Sequence, residues 1–260
     1  MTAARSVLTR PAPGPDLVVR YGDSADQLID VHLPEDPAAA PLVVLLHGGF
    51  WRQEFDRVHT RPMAQALRAQ GFAVATVEYR RGPGSWPAMR DDITAVREYV
   101  RTRFADTVPG RISGTAIRVV GHSAGGQLAL WWALTADQAD ADEIARVVAL
   151  APVADLTRAY EDNLGAGAVH DLLDGGPDER RERLAEADPA PRLTAYTGPA
   201  AIHVVHGDED DRVPIAHSRD VAVRAPAMEL HELRGIEHFG LIDPESNAWP
   251  HVLGVLGRPH

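Results

Sequence analysis

The chain has 260 residues, 45% hydrophobic and 24% charged, a balance that excludes whole-chain disorder and is long enough for a large buried core. Its 26 Lys and Arg against 37 Asp and Glu leave a net charge of −11, without the basic footprint that a nucleic-acid partner requires. There are no cysteines, so disulfides, thiolate metal sites and cysteine nucleophiles are excluded together.

Residues 1–16 hold two Arg, three Pro and no apolar run. They read as a mobile arm rather than a signal peptide, and a cytoplasmic location is the expectation. No stretch approaches 18 apolar residues, so no membrane span is expected. Residues 17–260 read as one domain. Residues 17–21 and 28–33, parted by the polar turn Gly22-Asp23-Ser24, read as an antiparallel strand pair. Compact apolar runs follow at 42–46, 73–78, 117–120, 147–151 and 200–205, and 228–233 reads as a final strand. Such runs suit strands covered on both faces. Helical segments are expected at 61–70, 87–103, 124–136, 215–224 and 244–256, with Pro62 and Pro87 near helix starts. This alternation predicts an α/β fold with a mostly parallel central sheet and helices on both faces. Residues 154–198 break the rhythm with Gly165, Gly167, Gly175, Gly176 and a charged run, 178–186. They read either as a solvated excursion or as a small lid insertion.

Chemistry concentrates in three places. Gly121-His122-Ser123-Ala124-Gly125 lies between an apolar strand and a helical run, the context of a nucleophile elbow with Ser123 as nucleophile. His47-Gly48-Gly49-Phe50-Trp51 follows an early strand, where backbone N–H groups of Gly49 and Phe50, with that of Ala124, would form an oxyanion hole. A serine needs a base and an acid to orient it, and after such an elbow the acid precedes the His along the chain. His238 follows the last strand and is the base candidate; His231 falls inside that strand. Asp208, Glu209, Asp210 and Asp211 crowd the loop after 200–205 and leave the acid open. The 12 histidines form no HxH or HExxH pattern, so no metal is expected.

HGGFW, GHSAGG, HGDEDDRVP and EHFGLID together resemble the α/β-hydrolase esterases over about residues 40–250. Within them, the HGG-aromatic-Trp loop is similar to that of the arylformamidase (kynurenine formamidase) group, with Phe50 where that group usually has Tyr. The resemblance implies the α/β-hydrolase fold, with Asp210, in HGxxDxxVP, as the acid. It implies acyl-enzyme hydrolysis of a small-molecule ester or activated amide, without cofactor. Trp51, Trp86 and Tyr160 stand near these loops and are expected to bind substrate. Arg80 is expected to do so too, because it follows a strand at its C-terminal end. A carboxylesterase, an arylformamidase acting on N-formylkynurenine, and a binding protein that has lost catalysis are the readings to separate. A homodimer stays open.

Overall fold

The strands β3 (Leu42–Leu46) and β4 (Ala73–Val77) are buried at every position, as the two-faced apolar runs require. The computed structural model describes residues 3–114 and 116–258. With β1 (Leu17–Arg20), β2 (Leu28–His32), β5 (Ile117–His122), β6 (Ile144–Leu150), β7 (Ala201–Gly207) and β8 (Met228–Leu233), they form one sheet in the order β1-β2-β4-β3-β5-β6-β7-β8. β2 pairs antiparallel with β1 and β4; the remaining pairs are parallel.

Successive strand residues face opposite sides. Val43 and Leu45 therefore enter one core and Val44 and Leu46 the other. The helices are α1 (Arg61–Ala69), α2 (Trp86–Thr102), α3 (Phe104–Thr107), α4 (Ala124–Thr135), α5 (Gln138–Glu143), α6 (Leu156–Glu161), α7 (Leu164–Leu173), α8 (Pro177–Ala187), α9 (Pro189–Thr194), α10 (Ala216–Arg224) and α11 (Trp249–Leu256). α1 and α11 cover the Val43 face, and α2, α4 and α10 cover the other. The chain steps from β3 outward to β4 and then returns to place β5 on the other side of β3. Ligands of open α/β sheets bind outside the strand C-termini at such a reversal. The segments after β3 and β5 carry HGGFW and Ser123.

Three expectations are corrected in detail. Residues 1–16 are not simply an arm: Ala3–Thr9 form a 3-10 helix, Val7 is buried, and Arg10 is 2.5 Å from Asp243. The Val7 side chain and the bidentate Arg10–Asp243 ion pair are among the contacts that anchor a segment whose composition is loop-like. α11 begins at Trp249 rather than 244, because Asp243 and Ser246 bind the backbone N–H groups of Glu245 and Ala248 and hold a turn there. β6 begins at Ile144, three residues before the apolar run, with Arg146 pairing in register despite its charge. Residues 154–198 fold as α6–α9, and Val169, Leu172, Leu173 and Leu193 join the core under α4. No helix among the described residues is long and apolar enough to cross a membrane.

Candidate active site

Ser123 stands between β5 and α4 with φ 56° and ψ −117°, a conformation that costs a non-glycine residue on the order of 1–3 kcal/mol. The turn is held by the Ser123 N–H donating to the Leu150 carbonyl at 2.8 Å. The two flanking glycines are sterically required. A Cβ on Gly121 would lie 2.0 Å from the Gly125 carbonyl oxygen, and one on Gly125 would lie 2.2 Å from that of Leu46. The elbow thus presses β5, α4 and the end of β3 into contact and leaves the serine exposed to the cavity above the sheet.

His238 opens a 3-10 turn after β8, capped by the Glu237 carboxylate. Its Nδ1 donates to Asp210 Oδ2 at 2.6 Å. A neutral imidazole with its proton on Nδ1 keeps a lone pair on Nε2. Asp210 sits after β7 and is nine-tenths buried. Its Oδ1 accepts the N–H groups of Arg212 and Val213, each at 2.8 Å. The buried His206 lies 3.2 Å from Oδ2 through Nε2, which also meets the Val213 carbonyl at 2.8 Å. Burial alone would raise the Asp210 pKa. The hydrogen bonds from His206 and His238, the His238 charge and the Val213 N–H outweigh it and hold the carboxyl well below the usual range. Of the neighbouring carboxylates, Asp208 accepts from Gly235 N–H, and Asp211 is exposed beside Arg212. His231 lies on β8 against His203, away from this pair.

Gly49, Phe50 and Trp51 all have positive φ, at 122°, 51° and 56°. Among the described residues nothing accepts from the Gly49 or Phe50 N–H, and Ala124 heads α4, where an N–H has no intrahelical acceptor. The loop is anchored from behind. His47 stacks on Tyr79 with ring centroids 4.3 Å apart, and Tyr79 Oη donates to the His47 carbonyl at 2.6 Å. His47 Nε2 lies 3.0 Å from Glu78 Oε1, and Glu78 also receives the Arg57 N–H and the Arg81 guanidinium. Burial pushes Glu78 up, but the His47 hydrogen bond, the charges of His47 and Arg81 and the Arg57 N–H together hold it at about 2, against an ordinary 4.5.

A carboxyl depressed in the folded state stabilises the fold above its unfolded pKa and loses that contribution as pH falls through the folded one. For Glu78 this is about 3 kcal/mol, lost between pH 4.5 and about 2. Glu78→Gln is expected to cost roughly 3–5 kcal/mol at neutral pH, because it takes the buried carboxylate from the half-buried guanidiniums of Arg81 and Arg57 and from His47. It should also flatten the fall in stability at acid pH. Urea unfolding at about pH 7 and about pH 3 measures both effects; an unchanged midpoint at neutral pH contradicts the anchoring role.

Ser123, His238, Gly49 and Phe50 line one cavity of about 190 Å³. A family model described as BD-FAE matches residues 29–224. The chain belongs to the BD-FAE family. Its fold and its relatives are those of the α/β-hydrolase esterases. The chain is 28% identical over 252 residues to esterase LipC of Mycobacterium tuberculosis, covering 86% of this chain and 60% of that protein. It is 29% identical over 112 residues to the kynurenine formamidase of Danio rerio, covering 43% of this chain and 36% of the relative. The chain therefore spans less than two thirds of the length of both relatives. Its fold matches a phosphonate-inhibited esterase B from Lactobacillus rhamnosis with a TM-score of 0.74, at 20% identity, covering 97% and 87% of the two chains.

Not every expected residue reaches the cavity of this BD-FAE chain. Trp51 is buried with its Nε1 3.2 Å from Gln127, and Trp86 is buried against Trp131 with its Nε1 2.8 Å from Glu186. Arg80 is committed to the buried Asp92 carboxylate at 2.5 Å and to the Ala88 carbonyl. Tyr160 lies in α6, half-exposed, with its ring beside that of His170. None of the four lines the cavity. Its walls are instead completed by Phe55, His59, Phe239 and Arg212, and by Arg5 and Leu8 of the N-terminal segment. His59 carries no motif; burial, then the charge of His47, lowers its pKa to about 4, so it stays neutral. Only its place a dozen residues after the HGG loop hinted at it.

Proposed function

We propose that the protein is a serine hydrolase that cleaves an ester or activated amide of a small molecule. The observation that carries this reading is one cavity shared by Ser123, on its positive-φ elbow, and His238, whose Nδ1 is fixed 2.6 Å from Asp210. His238 Nε2 takes the Ser123 proton as Oγ attacks the carbonyl carbon. The oxyanion is received by the N–H groups of Gly49, Phe50 and Ala124. Its collapse expels the alcohol or amine, which leaves with the proton from His238. Water then attacks the acyl-enzyme, with His238 as base again, and frees the acid and Ser123. No step calls for a cofactor.

The cavity, about 190 Å³ with Leu8, Phe50, Phe55 and Phe239 in its walls, is smaller than the roughly 300–1,000 Å³ of drug-sized sites and suits a short acyl group or a single ring. A second reading, arylformamidase, is supported by the HGG-aromatic-Trp loop and by the kynurenine formamidase relative. Values of kcat/KM for p-nitrophenyl acetate, p-nitrophenyl butyrate and N-formylkynurenine separate them. Ester turnover without formamide cleavage is the expected outcome. Formamide cleavage faster than ester cleavage would favour the second reading. No turnover of any of them, with small-molecule binding indifferent to Ser123→Ala, would leave a binding protein.

A further inference from the structure

On the sheet edge, away from the cavity, β7 and β8 bring together three side chains that the hydrolytic reading does not use. His203 lies opposite Glu229 in the parallel register, and His231 stands two residues further along β8, on the same face. His203 Nδ1 is 3.1 Å from His231 Nε2. Glu229 Oε2 is 3.3 Å from His203 Nδ1, and Glu229 Oε1 is 3.5 Å from His231 Nε2. We propose that His203, Glu229 and His231 bind one divalent transition-metal ion of the zinc type, which ties the edge strand β8 to β7.

The spacing is the first argument. Ligand atoms about 2.0–2.1 Å from a tetrahedral ion stand about 3.3–3.4 Å from one another. The 3.1 Å between His203 Nδ1 and His231 Nε2 and the 3.3 Å from His203 Nδ1 to Glu229 Oε2 lie close to that value, and the exposed Glu229 side chain can turn to set one oxygen against both rings. The donor set is the second. Two imidazoles and one carboxylate are the borderline nitrogen and oxygen ligands that zinc and its neighbours take, whereas calcium and magnesium prefer oxygen alone. His203 Nε2 is buried without a partner, so Nδ1 is the ring nitrogen that faces His231 and Glu229. The Glu229 carboxylate supplies negative charge against the nearby Arg146, whose guanidinium is held by the Val255 carbonyl. Glu229 is exposed, so water can fill the remaining coordination positions.

The consequence reaches the reaction centre through the strands. β7 runs on to Asp210 and β8 to His238. An ion shared by the two strands fixes their register at the sheet edge, where β8 has a neighbour on one side only. The inference stands whether or not the chain hydrolyses esters.

The test uses the whole chain after chelator treatment. Zn²⁺ is titrated in by calorimetry, and Co²⁺ by visible absorption. One ion per chain, a Co²⁺ spectrum of tetrahedral intensity and a rise in thermal midpoint with Zn²⁺ are expected. Glu229→Gln, at an exposed position that leaves the fold intact, should weaken binding by at least about tenfold, as lost metal-site contacts do. His203→Asn with His231→Asn should abolish it. His238→Asn should leave it unchanged, which separates this site from the cavity. No stoichiometric binding, or binding that Glu229→Gln and the double His variant leave intact, overturns the proposal.

Discussion

Replacing Ser123 by alanine is expected to lower kcat by a factor on the order of 10⁶ and to change KM little. The effect is large because the substitution removes the attacking oxygen itself and makes the histidine and the acid useless together. What remains is the oxyanion loop and the cavity. These are left in place, since the positive-φ turn is held by the Ser123 N–H to Leu150 and by the packing of Gly121 against Gly125, neither of which involves the hydroxyl. A residual rate of roughly 10³–10⁴ over water is therefore expected from binding and oxyanion stabilisation. Two measurements check this. Steady-state hydrolysis of p-nitrophenyl acetate gives the rate ratio. Mass spectrometry after treatment with an organophosphonate should find the adduct on Ser123 in the parent and none in the variant. Retention of more than about a tenth of the activity would remove Ser123 from the chemistry, since loss of a nucleophile is never so mild.

The sequence reveals those parts of the site where chemistry and local structure coincide. A serine between two glycines, after the strand residues Ile117, Val119 and Val120 and before a helix, reads as an elbow, and 117–122 and 124–135 fold accordingly. The central strands were legible because β3 and β4 are compact apolar runs buried on both faces, whereas β1 alternates and β8 carries Glu229, His231 and Glu232. The substrate residues were not legible, and Arg80 shows why. It follows β4 at the correct end of the sheet, yet Asp92, one helical turn and a half into α2, claims its guanidinium. Trp86 fails in the same way: Glu186 in α8 lies 100 residues away in sequence and fixes the indole inside the core. Such pairings depend on tertiary neighbours that periodicity does not supply. The cavity wall from Arg5 and Leu8 was hidden for the opposite reason, since nothing local marks residues 1–16 as packed. His206 carries no motif of its own, and its spacing of four residues from Asp210 places it against that carboxylate only once β7 extends to Gly207. The His203, Glu229 and His231 cluster is written across two strands rather than in one motif, so no short pattern displays it.

Asp210→Asn is expected to lower kcat by about 10⁴-fold, next only to loss of the nucleophile. The hydrogen-bond pattern gives the reason. Oδ1 takes two backbone N–H groups, from Arg212 and Val213, while Oδ2 takes His238 and His206. An asparagine keeps its oxygen on the backbone side and turns its NH₂ toward the imidazoles. That NH₂ donates to His238 Nδ1, which must then accept, so the ring carries its proton on Nε2 and no longer has a lone pair for Ser123. The same substitution removes a pH-dependent part of the stability. Asp210 is held well below its ordinary 3.8, so its contribution is complete above that pH and is lost as pH falls through the folded value. The variant should be less stable than the parent at neutral pH, and the gap should narrow in acid. Asp211→Asn is the control. Its side chain is exposed beside Arg212 and Arg5, and its loss should change kcat by no more than about twofold, as for an exposed ion pair. Rates for both variants and their urea midpoints at about pH 7 and about pH 3 decide the matter. An Asp210→Asn protein within about tenfold of the parent, or an Asp211→Asn protein that loses more, would place the acid elsewhere, because a carboxylate that sets the tautomer of the base cannot be exchanged for an amide so cheaply.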